Sequence, residues 1–518
     1  MMFWFHGRLA PAILAAVALP FAASADAGKS SQTVSYYKQV RPIFQAQCQG
    51  CHQPAKSKGG YVMTEFTKMF APGDSGKKAI VAGKPEASHL LEQITPKDGE
   101  AEMPKGKPAL VPPDVELIRQ WIAQGAKDDT PKDALKRIDA QHPPVYQRPP
   151  VVTSLDFSPD GTLLAVAGFH EVLLHKGDGS GIVARLVGLS ERIETVRFSP
   201  DGKLLATAGG LPSRLGEIQV WDVATRKLKL SVPVTYDDVY GVSWSPDGKL
   251  LAFGCADNTV RAIEAETGKQ VVQQGSHNDW VLDTTFSTKG DHIVSVGRDM
   301  STKLTEVESQ RFIDNVSSIT PGALRGGLHA IARNPTKDEI LIGGADGTPQ
   351  IYRIFRQTKR VIGDNAALIR RFPPMEGRIY SVDYSPDAKR VFAGASLDGK
   401  GAVNIYSADF DSKMPTNIVA IVEKVASTQN QQEKEALEKY LTADVKLLSS
   451  TPIDAGVYAV SCSPDGNTIA AAGEDGWIRF ISTSDGKVRK EFASVPLSGK
   501  QRNKPKPAVV TTTAAVKP

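Results

Sequence analysis

The chain has little surplus charge, little sulfur and almost no long apolar run, and each shortage narrows what it can be. Its 62 Lys and Arg against 57 Asp and Glu leave +5 over 518 residues, too small a balance to argue for nucleic acid. The one sustained apolar run, Leu9 to Phe21, is shorter than the ~20 residues a bilayer span needs. No later segment could cross a membrane. The 4 cysteines could form two disulfides, but their placement argues otherwise. Cys48 and Cys51 sit together in one motif, whereas Cys255 and Cys462 lie in or beside apolar, strand-like runs, where a small buried hydrophobe is the ordinary role. No nucleophile motif, phosphate loop or acidic metal cluster stands out.

What is present is turn chemistry. A composition of 41% apolar and 23% charged residues is that of a soluble protein, and 45 Gly with 34 Pro lean it towards β-structure. The length exceeds what one hydrophobic core organises, so two folded units plus tails are expected. Arg8, the run from Leu9 and the small-residue site Ala23-Ser24-Ala25 read as a cleavable export signal over residues 1–25, with a retained anchor as the alternative. The expectation is a periplasmic or otherwise exported bacterial protein.

Residues 34–130 read as a small all-α unit. Tyr36, Val40, Ile43, Phe44 and Ala46 recur near helical spacing and lead into the paired cysteines. Val115, Leu117, Ile118, Trp121 and Ile122 give a second apolar face after two prolines, with Asp114 expected as N-cap and a stop near Gly125. A polar, Pro-containing connector over 131–150 follows.

Residues 151–497 then repeat one unit. Its marker, Ser-Pro-Asp-Gly, occurs whole at Ser158–Gly161, Ser199–Gly202, Ser245–Gly248 and Ser463–Gly466, and weakened at Ser385–Ala388. Degenerate copies lie at Ser287–Gly290 and Asn334–Lys337. Pro fixes the corner, Asp caps local amides and Gly accepts a positive φ, so each copy predicts a hairpin. Short apolar strands flank every turn, and Trp221-Asp222 closes one of them. The pattern resembles the WD-repeat family, which implies an all-β seven-bladed propeller. A surplus over 408–452, charged with Ala, Leu and Ile at helical spacing from Glu423 to Tyr440, predicts an inserted helix packed beside the propeller. Residues 498–518 are rich in Lys, Pro and Thr, the composition of a disordered tail.

Cys48-Gln49-Gly50-Cys51-His52 matches the rule for covalent attachment of one c-type haem. Two thiols add across the porphyrin vinyl groups, and the adjacent imidazole of His52 becomes the proximal iron ligand. A zinc site would want a second Cys or His pair nearby, and a thioredoxin-like site would want a βαβ frame. The opposite ligand must come from a later loop. Met103, in Glu102-Met103-Pro104, is the choice, with Met63, Met69 and His89 as rivals. Lys56, Lys58, Lys105 and Lys107 flank these stretches and would make a basic haem rim for an acidic redox partner, or serve solubility alone.

The segment from Val34 to Ala126 resembles planctomycete cytochrome c domains. The resemblance rests on Arg41-Pro42-Ile43-Phe44, the motif ending at His52, Gly83-Lys84-Pro85-Glu86, Met103-Pro104 and Trp121-Ile122. It implies one low-spin haem passing single electrons and implies no substrate. Two readings of the fusion follow. In one, the propeller is a binding platform for redox partner proteins and the chain is an electron-transfer protein rather than an enzyme. In the other, the propeller axis holds a second cofactor or substrate, with His170, His175, His277, His292 and His329 as candidate ligands, although no two show metal-ligand spacing.

Overall fold

The computed structural model describes residues 33–49, 51–53, 56–97, 99–105, 108–131, 138–139, 141–319, 324–361 and 364–498. The expected export signal and most of the tail lie outside the described residues. No described helix is long and apolar enough to cross a membrane.

The N-terminal unit is built from short helices around aromatic rings. A π-helical turn, Tyr36–Val40, runs into α1, Arg41–Gln47; α2 spans His89–Ile94 and α3 spans Pro112–Ala123. Phe44 and Trp121 are fully buried, and the Tyr36 ring stacks on Trp121 at 5.3 Å. The expected cap of α3 is corrected: Val111 is the N-cap and Asp114 lies in the first turn. Two prolines supply the start, since their fixed φ suits the first turn and their missing N–H groups are unneeded there. The unit is not purely helical, because β1, His52–Gln53, pairs with β2, Lys56–Ser57.

Beyond the connector, the described residues form six larger sheets. The first contains β3, Leu155–Phe157; β4, Leu163–Ala167; β5, Phe169–Lys176; β6, Ile182–Phe198; β7, Leu204–Leu211; β8, Leu215–Asp222; and β9, Lys227–Thr235, hydrogen-bonded in sequence order. Five four-stranded antiparallel meanders follow within 239–274, 281–315, 328–371, 378–453 and 457–493. The expected seven separate four-stranded units are thus found as six sheets. The physical reason is β6, whose 17 residues continue without a break from the edge of one meander into the first strand of the next.

The marker turns behave as their chemistry requires. In Ser199–Gly202 the Ser199 hydroxyl donates to Asp201 Oδ1 at 2.7 Å, that oxygen accepts from Lys203 N at 3.1 Å, and Gly202 sits at φ 71°. Ser158, Ser245, Ser385 and Ser463 make the same bond to the aspartate two residues on. First and last sheets share one hydrophobic cluster, in which Leu155, Phe157 and Leu164 meet Ala459, Ala470 and Phe480. The connector is partly anchored there: Tyr146 bridges to Leu497 in parallel.

The inserted helix is two helices, α4, Thr416–Val422, and α5, Gln431–Leu441, so the single helix expected from Glu423 to Tyr440 is corrected. Asn430 starts α5 with a full capping box to Glu433, which ends any continuous helix there. Ile418, Ile421, Tyr440 and Leu441 join the core cluster of the sheet within 328–371, so the helices pack on the preceding sheet and the expectation that they cover the edge of their own sheet, within 378–453, is corrected.

Candidate functional site

The cysteine motif leaves the C-terminus of α1. Cys48 caps that helix, and both Cys51 N and His52 N donate to Cys48 O at 3.1 Å, curling the segment into one tight turn. The buried Gln49 amide donates to Met63 O at 2.8 Å, and Met63 N donates to His52 O at 2.8 Å, pinning the following loop beneath it. Neither Cys48 nor Cys51 is in a disulfide. The His52 ring meets the edge of Tyr61 at 5.5 Å. Its Nδ1 is buried and has no hydrogen-bond partner among the described residues. Burial holds the imidazole below its usual pKa, against a weaker upward pull from the backbone of Tyr61 and Lys58.

Cys48, Cys51, His52 and Met103 all line one cavity of about 940 Å³, within the size range of cofactor pockets. Met103 reaches it because its N–H donates to Gln93 O in α2 at 3.0 Å, tying the irregular loop to that helix. Two rivals share the wall, Met63 and His89; Met69 does not. Met63 and Met69 are both buried in the unit's core. His89 is held by Glu92, its Nδ1 lying 2.8 Å from Glu92 Oε2. Two thiols, an imidazole with an unpartnered buried nitrogen and a thioether around an apolar-walled space are a donor set that fits a c-type haem. Gln49 and Tyr61 were missed by sequence reasoning. Gln49 lies inside the motif's variable pair, and nothing in its spacing marks it as buried.

The sheets surround a second cavity, of about 690 Å³, lined by their first strands. Arg197 and Asp283 line it, and Asp156 and Asp383 also lie within electrostatic reach of Arg197, residues that sequence reasoning did not single out. Burial raises all three carboxyls, Asp156 to about 7 and Asp283 to about 6, while Arg197 pulls them down. Each also accepts a backbone N–H from the next sheet segment: Phe198 N to Asp156 at 2.7 Å, Ile331 N to Asp283 at 3.1 Å and Cys462 N to Asp383 at 2.8 Å. The signal was available, since Asp156-Phe157 and Asp383-Tyr384 precede equivalent turns.

Of the five candidate histidines in the repeat region, His329 lines this cavity. His175 is buried against Ser494 O at 2.8 Å, His277 is buried between Asp299 and Ser295, His292 pairs with Asp291, and His170 lies edge-on to Phe169. Among the described residues no group of three or more His, Cys, Asp or Glu is arranged to hold a metal. Cys255 is fully buried and its thiol pushed up to about 12 by desolvation, as a packing residue should be; burial raises Cys462 likewise.

The comparisons fall on the same two regions. Residues 48–107 match the family described as planctomycete cytochrome C. Residues 144–171, 182–222 and 446–482 match the WD domain, G-beta repeat, and 211–289 match the anaphase-promoting complex subunit 4 WD40 domain. The chain thus joins a segment of planctomycete cytochrome C type to WD repeats.

Periodic tryptophan protein 2 of Arabidopsis thaliana is 24% identical over 169 residues, 33% of this chain and 18% of that protein. The WD repeat-containing protein 91 homolog of Dictyostelium discoideum is 26% identical over 84 residues, 16% of this chain and 11% of that protein. The chain therefore spans under a fifth of the length of these curated relatives. A chain in a crystal structure of the mitotic checkpoint complex aligns with a TM-score of 0.49 at 16% identity, over 67% of this chain and 98% of its own length.

Proposed function

We propose that the chain is an exported c-type cytochrome that passes one electron at a time through a single covalently held haem c, with the repeat region serving as a protein-binding platform. The observation that carries this reading is the convergence of Cys48, Cys51, His52 and Met103 on one cavity. When bound, the haem supplies a one-electron couple. Cys48 and Cys51 would tether it through thioether links. His52 would present its imidazole to the iron from a ring packed against the edge of Tyr61. Met103 presents a thioether from a loop fixed to α2, the ligand type that raises the potential relative to two imidazoles. Phe44, Ile94 and Trp121 keep the core beside the site apolar.

The unit boundaries follow the same reading: a signal over 1–25, a cytochrome unit over 34–130, a connector over 131–150 and a propeller over 151–497. In this account the seven-stranded sheet counts as two blades sharing β6, which with the five four-stranded sheets gives seven repeats about one axis. The Phe157 N–H, donating to Ser461 Oγ at 3.3 Å, supports a ring whose last repeat meets its first. The test of the redox reading is expression beside a working c-type cytochrome maturation system. A pigment that survives acid extraction, one haem per chain, is the expected result; colourless protein would leave only the repeat region's role.

A further inference from the structure

The mouth of the axial cavity is not uniform, and its asymmetry comes from a repeated backbone irregularity. In the first strands of successive repeats the pairing register skips one residue at the same place: Glu194, Gly241, Leu282, His329, Tyr380 and Tyr458 are the skipped positions. A β-bulge re-aims the extra residue, and here all six line the cavity. The sequence at these positions therefore sets what the mouth offers a ligand.

One side is acidic. Glu194 lies with Asp238 and Tyr240; burial and Asp238 raise the Glu194 carboxyl to about 7, against Arg192. The other side is basic and aromatic. The Arg298 guanidinium lies 4.5 Å over the Trp280 ring, with Asp279 at 3.5 Å as its partial counter-charge. Arg378 lies 6.0 Å over the Tyr380 ring, and Tyr380 packs edge-on to Tyr458 at 4.9 Å. His329 sits between these arginines, 5.4 Å from Tyr380, and no hydrogen bond to its ring is found among the described residues. Burial and the two arginines hold it down at about 4, so it is a neutral donor in a positive field at neutral pH.

We propose that this basic side, Arg298 and Arg378 flanking His329 over stacked rings, docks a carboxylate-bearing peptide segment of a partner protein. The inference rests on the platform reading and names the chemistry of its ligand. Guanidinium groups held over aromatic faces present N–H forks suited to bidentate carboxylate contacts, and the adjacent rings offer area to the peptide backbone. The chain's own tail is the wrong occupant, since residues 499–518 contain Lys and Arg but neither Asp nor Glu.

The experiment is calorimetric titration of the whole protein with an end-blocked glutamate-rich peptide and with its glutamine-rich counterpart. The acidic peptide is expected to bind and the neutral one to bind roughly tenfold or more weakly, with Arg378→Ala and Arg298→Ala each costing about tenfold at unchanged melting temperature. Arg378→Lys should recover part of the loss, because charge returns without the fork. Equal binding of both peptides, no binding of either, or unchanged affinity in the double alanine variant would overturn the inference. Failure here while the immobilised protein still binds an identified partner through another face would leave the platform reading standing.

Discussion

Arg185 clamps Glu171 with two N–H donors, Nε to Oε2 and Nη2 to Oε1, each at 2.6 Å, on neighbouring strands of the first sheet. The Glu171 carboxylate is wholly buried and also accepts from the Tyr146 hydroxyl at 2.7 Å. Since Tyr146 belongs to the connector, this carboxylate ties the start of the repeat region to its first sheet. Arg185→Ala strands a buried negative charge and is expected to destabilise the repeat region by about 3 kcal/mol. Denaturant unfolding of the variant against wild type checks it; a difference below about 1 kcal/mol would show the pair to be dispensable.

The carboxylates around Arg197 make a pH prediction. Asp156 rises from 3.8 to about 7 through burial, eased by Arg197 and the Phe198 N–H and worsened by Asp383. A carboxyl with a higher folded than unfolded pKa binds its proton more tightly when folded, so its stabilisation is complete below about 4 and is lost as pH climbs through about 7. Asp156→Asn keeps the acceptor for Phe198 N but cannot titrate. Between pH 5 and pH 8 the wild type should lose more stability than the variant, measured by urea unfolding at each pH; parallel losses would contradict this.

Ala388 stands where the complete turns carry glycine, and it adopts φ 58°. An L side chain with a Cβ pays a steric penalty there that glycine does not. Ala388→Gly is expected to raise stability by about 1 kcal/mol, read as a higher melting temperature, whereas Gly202→Ala should lower it by a similar amount.

These turns also mark what the sequence made legible. Ser-Pro-Asp-Gly carries its own hydrogen-bonding logic within four residues, so the hairpins and the repeat could be read locally, as could the attachment motif beside His52. The continuity of β6 could not, because whether one meander ends before the next begins depends on pairing between residues far apart. The break between α4 and α5 was hidden by helical spacing that runs through it, although Asn430 and Glu433 form a readable cap. His277 and His329 look alike in sequence. Only the fold buries one against Asp299 and bulges the other into the axial cavity.

Met103 is open to a direct substitution test. Met103→Ala should abolish the long-wavelength thioether-to-iron band and lower the reduction potential, while Met63→Leu, a core change beside His52, should leave the band in place. The band's survival in Met103→Ala, or its loss in Met63→Leu, would move the assignment to the rival methionine.

The most direct measurement is the intact mass and absorption spectrum of denatured, acid-extracted protein made alongside c-type maturation machinery, for wild type and for Cys48→Ser/Cys51→Ser. The account predicts one covalently retained haem on the wild type and none on the double variant. Wild-type chains without bound porphyrin, or a double variant that still carries it, would contradict the account at its base.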